Sequence, residues 1–274
     1  MDLIGIDLDG TLLDKNQHIS SGNAAALRQA QETAMPFICS GRDPEDIHRL
    51  LAAAHVALPI VGLNGAVGVT GGRQLFATTF APATAAAVIA VLAKIPYKVY
   101  SPTARFETRD YEASLRALFA AGDADLAGQL PYQLAYDQSV PARPLTPDAT
   151  AALTKFNVTI PNRRLKASVV AALGKLPGVV TTGSGPANLE VIPQGVGKGL
   201  AFGKLRAALA LGPGRDVAIG DSENDRSMFA AADVTFAMGN AVPAIRAVAT
   251  AVVAPHDQDG VAEALRLLAT GTGR

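Results

Sequence analysis

Short apolar runs, each halted by a polar turn, mark both ends of the chain. Leu3-Ile4-Gly5-Ile6 stops at Asp7-Leu8-Asp9-Gly10-Thr11, a pattern of a buried strand leaving the core at two carboxylates. Ser20 or Ser21 then caps a predicted helix with Ala24, Leu27, Ala30 and Ala34 at helical spacing. Pro36-Phe37-Ile38-Cys39 reads as a second strand ending at Ser40-Gly41-Arg42, and Asp43-Pro44 opens a helix with Ile47, Leu50, Leu51 and Ala54 on one face. Pro59 to Leu63 reads as a third strand ending at Asn64-Gly65. The runs Val67 to Val69 and Gln74 to Thr79 then form a predicted hairpin about Gly71-Gly72.

The rhythm breaks after Phe80. Pro82 starts a predicted helix to Lys94, and short strands follow at Tyr97 to Ser101 and Arg105 to Thr108, with a helix near Asp110 to Ala120. Gly122, Gly128, Pro131, Pro141, Pro144 and Pro147 predict an irregular stretch. Thr154 to Ile160 reads as a strand, Arg163 to Leu173 as a helix, and Val179 to Thr182 and Leu189 to Ile192 as strands.

The βα rhythm returns at Gly195-Val196-Gly197-Lys198-Gly199, which opens a helix carrying Ala201, Leu205, Ala208 and Leu209 and stopped by Gly212-Pro213. Val217 to Gly220 is a predicted strand ending at Asp221, Ser222 to Ala232 a helix, and Val234 to Met238 a strand turning at Gly239-Asn240. A helix with Val261, Leu265 and Leu268 closes the pattern. The expected fold class is α/β, with a core of residues 1–80 and 190–274 and a mixed α+β domain, residues 81–189, inserted into it.

Composition narrows the partners. The 274 residues are 49% apolar, enough for two cores, and 24 basic against 24 acidic residues leave a formal net charge of zero. No basic stripe favours nucleic acid, and the long uncharged stretch from Gln74 to Ala93 is diluted by Thr, Gln and Pro82, so neither nucleic acid nor a membrane is expected as a partner. One cysteine, Cys39, rules out an intramolecular disulfide framework. With no leader-like N-terminus, a cytoplasmic location is the expectation. The sequence carries no signal of oligomeric state.

The chemistry collects at the turns bearing Asp7 and Asp9, Ser40, Lys198, and Asp221 with Asn224 and Asp225. In a parallel sheet such turns share one edge, where open α/β folds bind ligands. Several carboxylates held together need a cation, and oxygen ligands of this kind suit Mg²⁺. A lysine and a hydroxyl beside backbone N–H groups suit a phosphoryl group.

Competing motifs fail on spacing. An EF-hand loop starting at Asp7 puts His18 at its last ligand position, Gly199 stands where a phosphate loop needs Ser or Thr, and Asn224 breaks a nucleophile elbow around Ser222. His18, His48, His55 and His256 show no metal-ligand spacing, with His48 expected on a solvated helix face, and Cys39 is expected as a buried, inert thiol. Ser222 and Asp225 also fit a helix capping box, and Arg42 fits either a solvated helix entrance or a substrate contact.

As an ordered set, Asp7-Leu8-Asp9-Gly10-Thr11, Ser40-Gly41-Arg42, Lys198 and Gly220-Asp221-Ser222-Glu223-Asn224-Asp225 resemble the four motifs of haloacid dehalogenase (HAD) superfamily phosphatases. The insertion position resembles the type with a C2 cap on a Rossmann-like core. Asn64-Gly65-Ala66, Ala237-Met238-Gly239-Asn240-Ala241 and Asp259-Gly260-Val261-Ala262 are similar to the Cof-like sugar phosphatase branch.

The resemblance implies a Mg²⁺-dependent phosphatase of small phosphorylated metabolites. Asp7 would be the nucleophile, and Asp9 the acid and base. Asp7, Asp221 and the Asp9 carbonyl would bind the metal. Ser40, the Gly41 N–H, Lys198 and Asn224 would hold the phosphate, and Asp225 would stand behind the metal or lysine. Gly197 departs from the Ser usual before the lysine. The cap would meet the rest of the substrate, with Arg105, Arg109, Tyr136, Asn157, Asn188 and Glu190 as candidates. A phosphomutase of the same fold, or a non-catalytic module binding phosphometabolites, are the alternatives.

Overall fold

A computed structural model describes residues 1–146, 152–183 and 185–271; Pro147 lies outside them. The chain forms two compact units, residues 1–77 with 196–274, and residues 78–195.

In the first unit, β1 (Leu3–Ile6), α1 (Ser21–Ala30), β2 (Met35–Cys39), α2 (Pro44–Ala53) and β3 (Ile60–Gly62) alternate, and β4 (Val67–Thr70) and β5 (Arg73–Ala77) form the hairpin. The second unit holds α3 (Pro82–Val91), β6 (Tyr97–Tyr100), β7 (Arg105–Glu107), α4 (Tyr111–Ala120), α5 (Leu130–Ser139), β8 (Arg143–Pro144), β9 (Lys155–Thr159), α6 (Arg163–Leu173), β10 (Val179–Thr182) and β11 (Asn188–Pro193). The first unit is completed by α7 (Ala201–Ala208), β12 (Asp216–Gly220), α8 (Arg226–Ala231), β13 (Val234–Ala237), α9 (Pro243–Arg246), β14 (Ala251–Val252) and α10 (Gly260–Thr270).

Strand order in the first sheet is β14-β13-β12-β1-β2-β3-β4-β5. From β14 to β3 every pairing is parallel, and the two pairings that β4 makes, with β3 and with β5, are antiparallel. The chain enters at β1, builds β2 and β3 on one side and later adds β12 to β14 on the other, so β1 is the topological switch point. All four residues of β1 are buried, as expected for a strand covered on both faces. Beneath it Phe37 of β2 meets Phe202 of α7 edge to face, with ring centroids 5.4 Å apart at 89°.

The second unit is α+β around the sheet β10-β11-β9-β6-β7-β8, antiparallel except at β7 and β8. Tyr97, Val99, Phe156, Val158, Leu189 and Val191 form its core with Val88 of α3 and Leu173 of α6. Asn157 and Asn188 hydrogen-bond at 2.9 Å, and Lys155 and Glu190 form a buried pair at 2.6 Å.

Three expectations change. The boundaries shift from 80/81 to 77/78 and from 189/190 to 195/196. Phe80 packs on Phe156 in the second core, and β11 pairs along its length with β9 and β10. The stretch read as irregular contains α5, where Pro131 lies in the first helical turn, a place proline favours because its missing N–H has no partner there anyway. The predicted helix from Ser222 is a short 3₁₀ turn, Glu223–Asp225, followed by α8; α9 and β14 carried no clear periodicity.

Phe37→Ala is expected to cost about 3–5 kcal/mol, measured as a lower urea midpoint with secondary structure retained. An unchanged midpoint would contradict the role given to the Phe37–Phe202 contact.

Candidate active site

Beyond β1 the chain enters an irregular helical turn, Leu8–Leu12, in which Asp9 and Gly10 leave helical geometry. Gly10 has φ 75°, and a Cβ there would stand 2.5 Å from Asp221 Oδ2. Both the backbone conformation and the close approach therefore require glycine. Thr11 Oγ1 donates to Asp221 Oδ1 at 3.3 Å, tying the end of β1 to the end of β12. On the far side Asn240 Nδ2 donates to Gly10 O at 2.8 Å, Asn240 Oδ1 accepts from His256 N, and the His256 ring bonds Leu13 O. The turn carrying Asp9 is thus fastened from two loops distant in sequence. Neither Asn240 nor His256 has local spacing that would reveal this.

Lys198 does not follow a strand of the first sheet. The strand before it, β11, belongs to the other sheet, and Lys198 begins a 3₁₀ turn, Lys198–Leu200, ahead of α7. A Cβ at Gly199 would lie 2.3 Å from Ser227 O, so glycine permits this turn to press against α8. The Lys198 ammonium is buried and donates to Asp7 Oδ1 at 2.6 Å, Asp225 Oδ1 at 2.7 Å and Asn224 Oδ1 at 3.2 Å.

Asp225 serves both functions that its sequence position left open. Its Oδ1 takes Lys198, while its Oδ2 accepts from Asp221 N at 3.0 Å and Ser222 N at 3.1 Å within a capping box. Asn224 Oδ1 also accepts from Ser222 Oγ at 2.7 Å, which turns its amide NH₂ end toward other partners. Ser40 is buried at the end of β2, one strand from Asp7, with its Oγ accepting from Arg42 N at 3.2 Å. Gly41, half-buried, follows it. The Asp9 side chain is half exposed, and both its carboxylate oxygens take the Arg42 guanidinium, at 2.8 and 2.5 Å. That guanidinium is largely buried, unlike a solvated residue at a helix entrance.

Burial, with Asp225 nearby, raises the Asp7 carboxyl well above the usual carboxylate range, and Lys198 only partly offsets this. Asp221 is pushed up to about 6 by burial and by Asp225. Burial opposes charge on Lys198, but Asp225 and Asp7 more than compensate and hold it protonated. The Cys39 thiol beside this cluster is pushed up to about 12, chiefly by burial, which leaves it inert.

Asp7, Asp221 and Asp225 each bring an oxygen within 4.8 Å of the others. Three carboxylates share one lysine, so the cluster is short of positive charge. Hard oxygen donors of this kind fit Mg²⁺. Because Asp225 already spends both oxygens on Lys198 and the capping N–H groups, Asp7 and Asp221 are the carboxylates that fit a cation.

A family profile described as haloacid dehalogenase-like hydrolase matches residues 4–265. A Bacillus subtilis protein named 5-amino-6-(5-phospho-D-ribitylamino)uracil phosphatase YwtE is 31% identical, over 99% of this chain and 99% of its own. The structure of a haloacid dehalogenase-like hydrolase from B. subtilis superposes with a TM-score of 0.82 at 26% identity, covering 98% of this chain and 100% of that one. A HAD subclass IIB sugar phosphatase shares the fold, with a TM-score of 0.77 at 20% identity over 98% and 99% of the two chains. Among the described residues no helix is long and apolar enough to cross a membrane.

The raised carboxyls have a thermodynamic consequence. For Asp221, lifted from 3.8 to about 6, the stability contribution present below pH 3.8 is lost as pH rises through 6. A cation bound there restores it, and protons compete with that cation below pH 6. Apparent Mg²⁺ affinity, read by thermal shift, is expected to be about tenfold weaker or more at pH 5 than at pH 7.5. Gly10→Ala, which crowds Asp221, should remove the shift. Equal affinity at both pH values would contradict the assignment of Asp221.

Proposed function

The chain belongs to the haloacid dehalogenase-like hydrolases, and from that premise we propose that it hydrolyses small phosphomonoesters, sugar phosphates above all, through a phosphoryl group carried on Asp7. The observation that carries this reading is the buried contact of Asp7 with Lys198 at the end of the switch-point strand. A carboxylate meets a fixed ammonium there, with Asn224 beside it.

In the first step an Asp7 oxygen attacks phosphorus. The new O–P bond forms as the ester P–O bond breaks, and Asp9 delivers a proton to the leaving oxygen. In the second step water attacks phosphorus, Asp9 takes its proton, and the Asp7 O–P bond breaks to release phosphate. Lys198, the Asn224 amide, Ser40 Oγ and the Gly41 N–H orient the phosphoryl oxygens, and Lys198 balances charge that grows in the transition state. Mg²⁺, held by Asp7, Asp221 and the Asp9 main-chain carbonyl, would supply the remaining positive charge that lets an anionic nucleophile approach an anionic ester.

The substrate class is supported by the family relative whose name specifies a 5-phospho-D-ribitylamino compound and by a net charge of zero without a basic stripe. Phosphate release from a panel of sugar phosphates and an aryl phosphate is expected only with Mg²⁺. Asp7→Asn should lower it by about 10³-fold or more. Activity that survives Asp7→Asn or full chelation would overturn the reading. Transfer of phosphate between positions of one sugar without release would instead identify a mutase.

A further inference from the structure

The contact between Arg42 and Asp9 has a second half. Behind the guanidinium stands Asp46, whose side chain is fully buried in the first turn of α2 and whose Oδ2 accepts from Arg42 Nη1 at 2.9 Å. Its other oxygen takes Arg49 at 2.5 Å. The main chain of Arg42 is also fixed, with its N–H on Ser40 Oγ at 3.2 Å and its carbonyl accepting from Leu63 N at 2.8 Å. Gln17, reaching from the loop beyond the Asp9 turn, accepts from Nη2. The fork is therefore built into the junction of β2 and α2, and Asp9 docks onto it.

An exposed ion pair ordinarily fixes little. Here the Asp9 side chain is half exposed, while the Arg42 side chain is 12% exposed and that of Asp46 behind it is fully buried. Both carboxylate oxygens meet one planar fork, which fixes direction as well as distance in a way a lysine cannot reproduce.

We propose that Arg42, anchored by Asp46, is a positioning residue that holds the Asp9 carboxylate in the orientation from which it exchanges protons with the leaving oxygen and with water. This inference rests on the acid–base part assigned to Asp9 above. The guanidinium keeps its own protons throughout. One Asp9 oxygen carries the transferred proton while the other stays on Nε–H.

The test is a double-mutant cycle on the full-length protein with Mg²⁺, using a sugar phosphate, whose leaving oxygen needs a proton, and p-nitrophenyl phosphate, whose leaving group does not. Arg42→Ala is expected to lower kcat on the sugar phosphate by about 10- to 100-fold with KM within about twofold, and to cost less on the aryl ester. In an Asp9→Asn background the same substitution should add less than about a twofold loss. Added guanidinium should restore part of the activity of Arg42→Ala and none of the double variant. Asp46→Asn should show a smaller loss in kcat that also vanishes in the Asp9→Asn background. Should Arg42→Ala fold poorly by its thermal midpoint, Arg42→Lys supplies the cycle, again with a fall in kcat. Additive losses, or a rise in KM alone, would overturn the proposal and make Arg42 a structural residue or a substrate contact. Wild-type activity in Asp9→Asn would instead overturn the part given to Asp9 itself.

Discussion

The site depends on one buried ammonium. Lys198 stands between Asp7 and Asp225 at 2.6 and 2.7 Å, and each partner reaches it from a different part of the chain. Asp7 ends the switch-point strand, Asp225 begins the approach to α8, and Lys198 opens the return from the inserted unit. Taking three charges out of water is costly, and a buried pair of this kind is weak evidence of stability. Removing one member, by contrast, leaves an uncompensated charge and typically costs about 3–5 kcal/mol. The arrangement makes sense as a preorganised charge distribution, fixed before a substrate arrives, of the kind that stabilises charge at a reacting centre.

From that constraint the surrounding details follow. Gly199 lets the lysine turn approach α8, Gly10 lets the Asp9 turn pass Asp221, and the capping box aligns Asp225 by taking its second oxygen. Asp221 is left with only Thr11 Oγ1 near its carboxylate among the side-chain donors described, at 3.3 Å. Of the three clustered carboxylates it is the one that takes no hydrogen bond from Lys198 among those described, which suits it to a cation. The fastening of Gly10 O by Asn240, and of Leu13 O by His256, holds the turn that follows Asp7 from its far end.

Much of this was legible in the sequence because the core strands announce themselves. An apolar run buried on both faces has no reason to stop at Asp7, Ser40 or Asp221 unless the end of the strand is used. The inserted unit was less legible. Pro131 reads as a breaker in isolation and as a helix opener once α5 is seen, since the residue type suits both. The strand ahead of Lys198 is ambiguous for a related reason. β11 looks like any other buried strand, and only its pairing with β9 and β10 assigns it to the second sheet. The link from Asp46 through Arg42 to Asp9 crosses elements far apart in the chain, and no local periodicity encodes it.

The central claim is that Asp7 carries the phosphoryl group. Acid quenching of the enzyme during turnover with Mg²⁺ and an aryl phosphate, followed by peptide mass spectrometry, tests it directly. The expected result is the mass of one phosphoryl group on the peptide containing Asp7, absent from Asp7→Asn. Steady release of phosphate with that peptide unmodified at every quench time, or with the phosphoryl group on another residue, would contradict it.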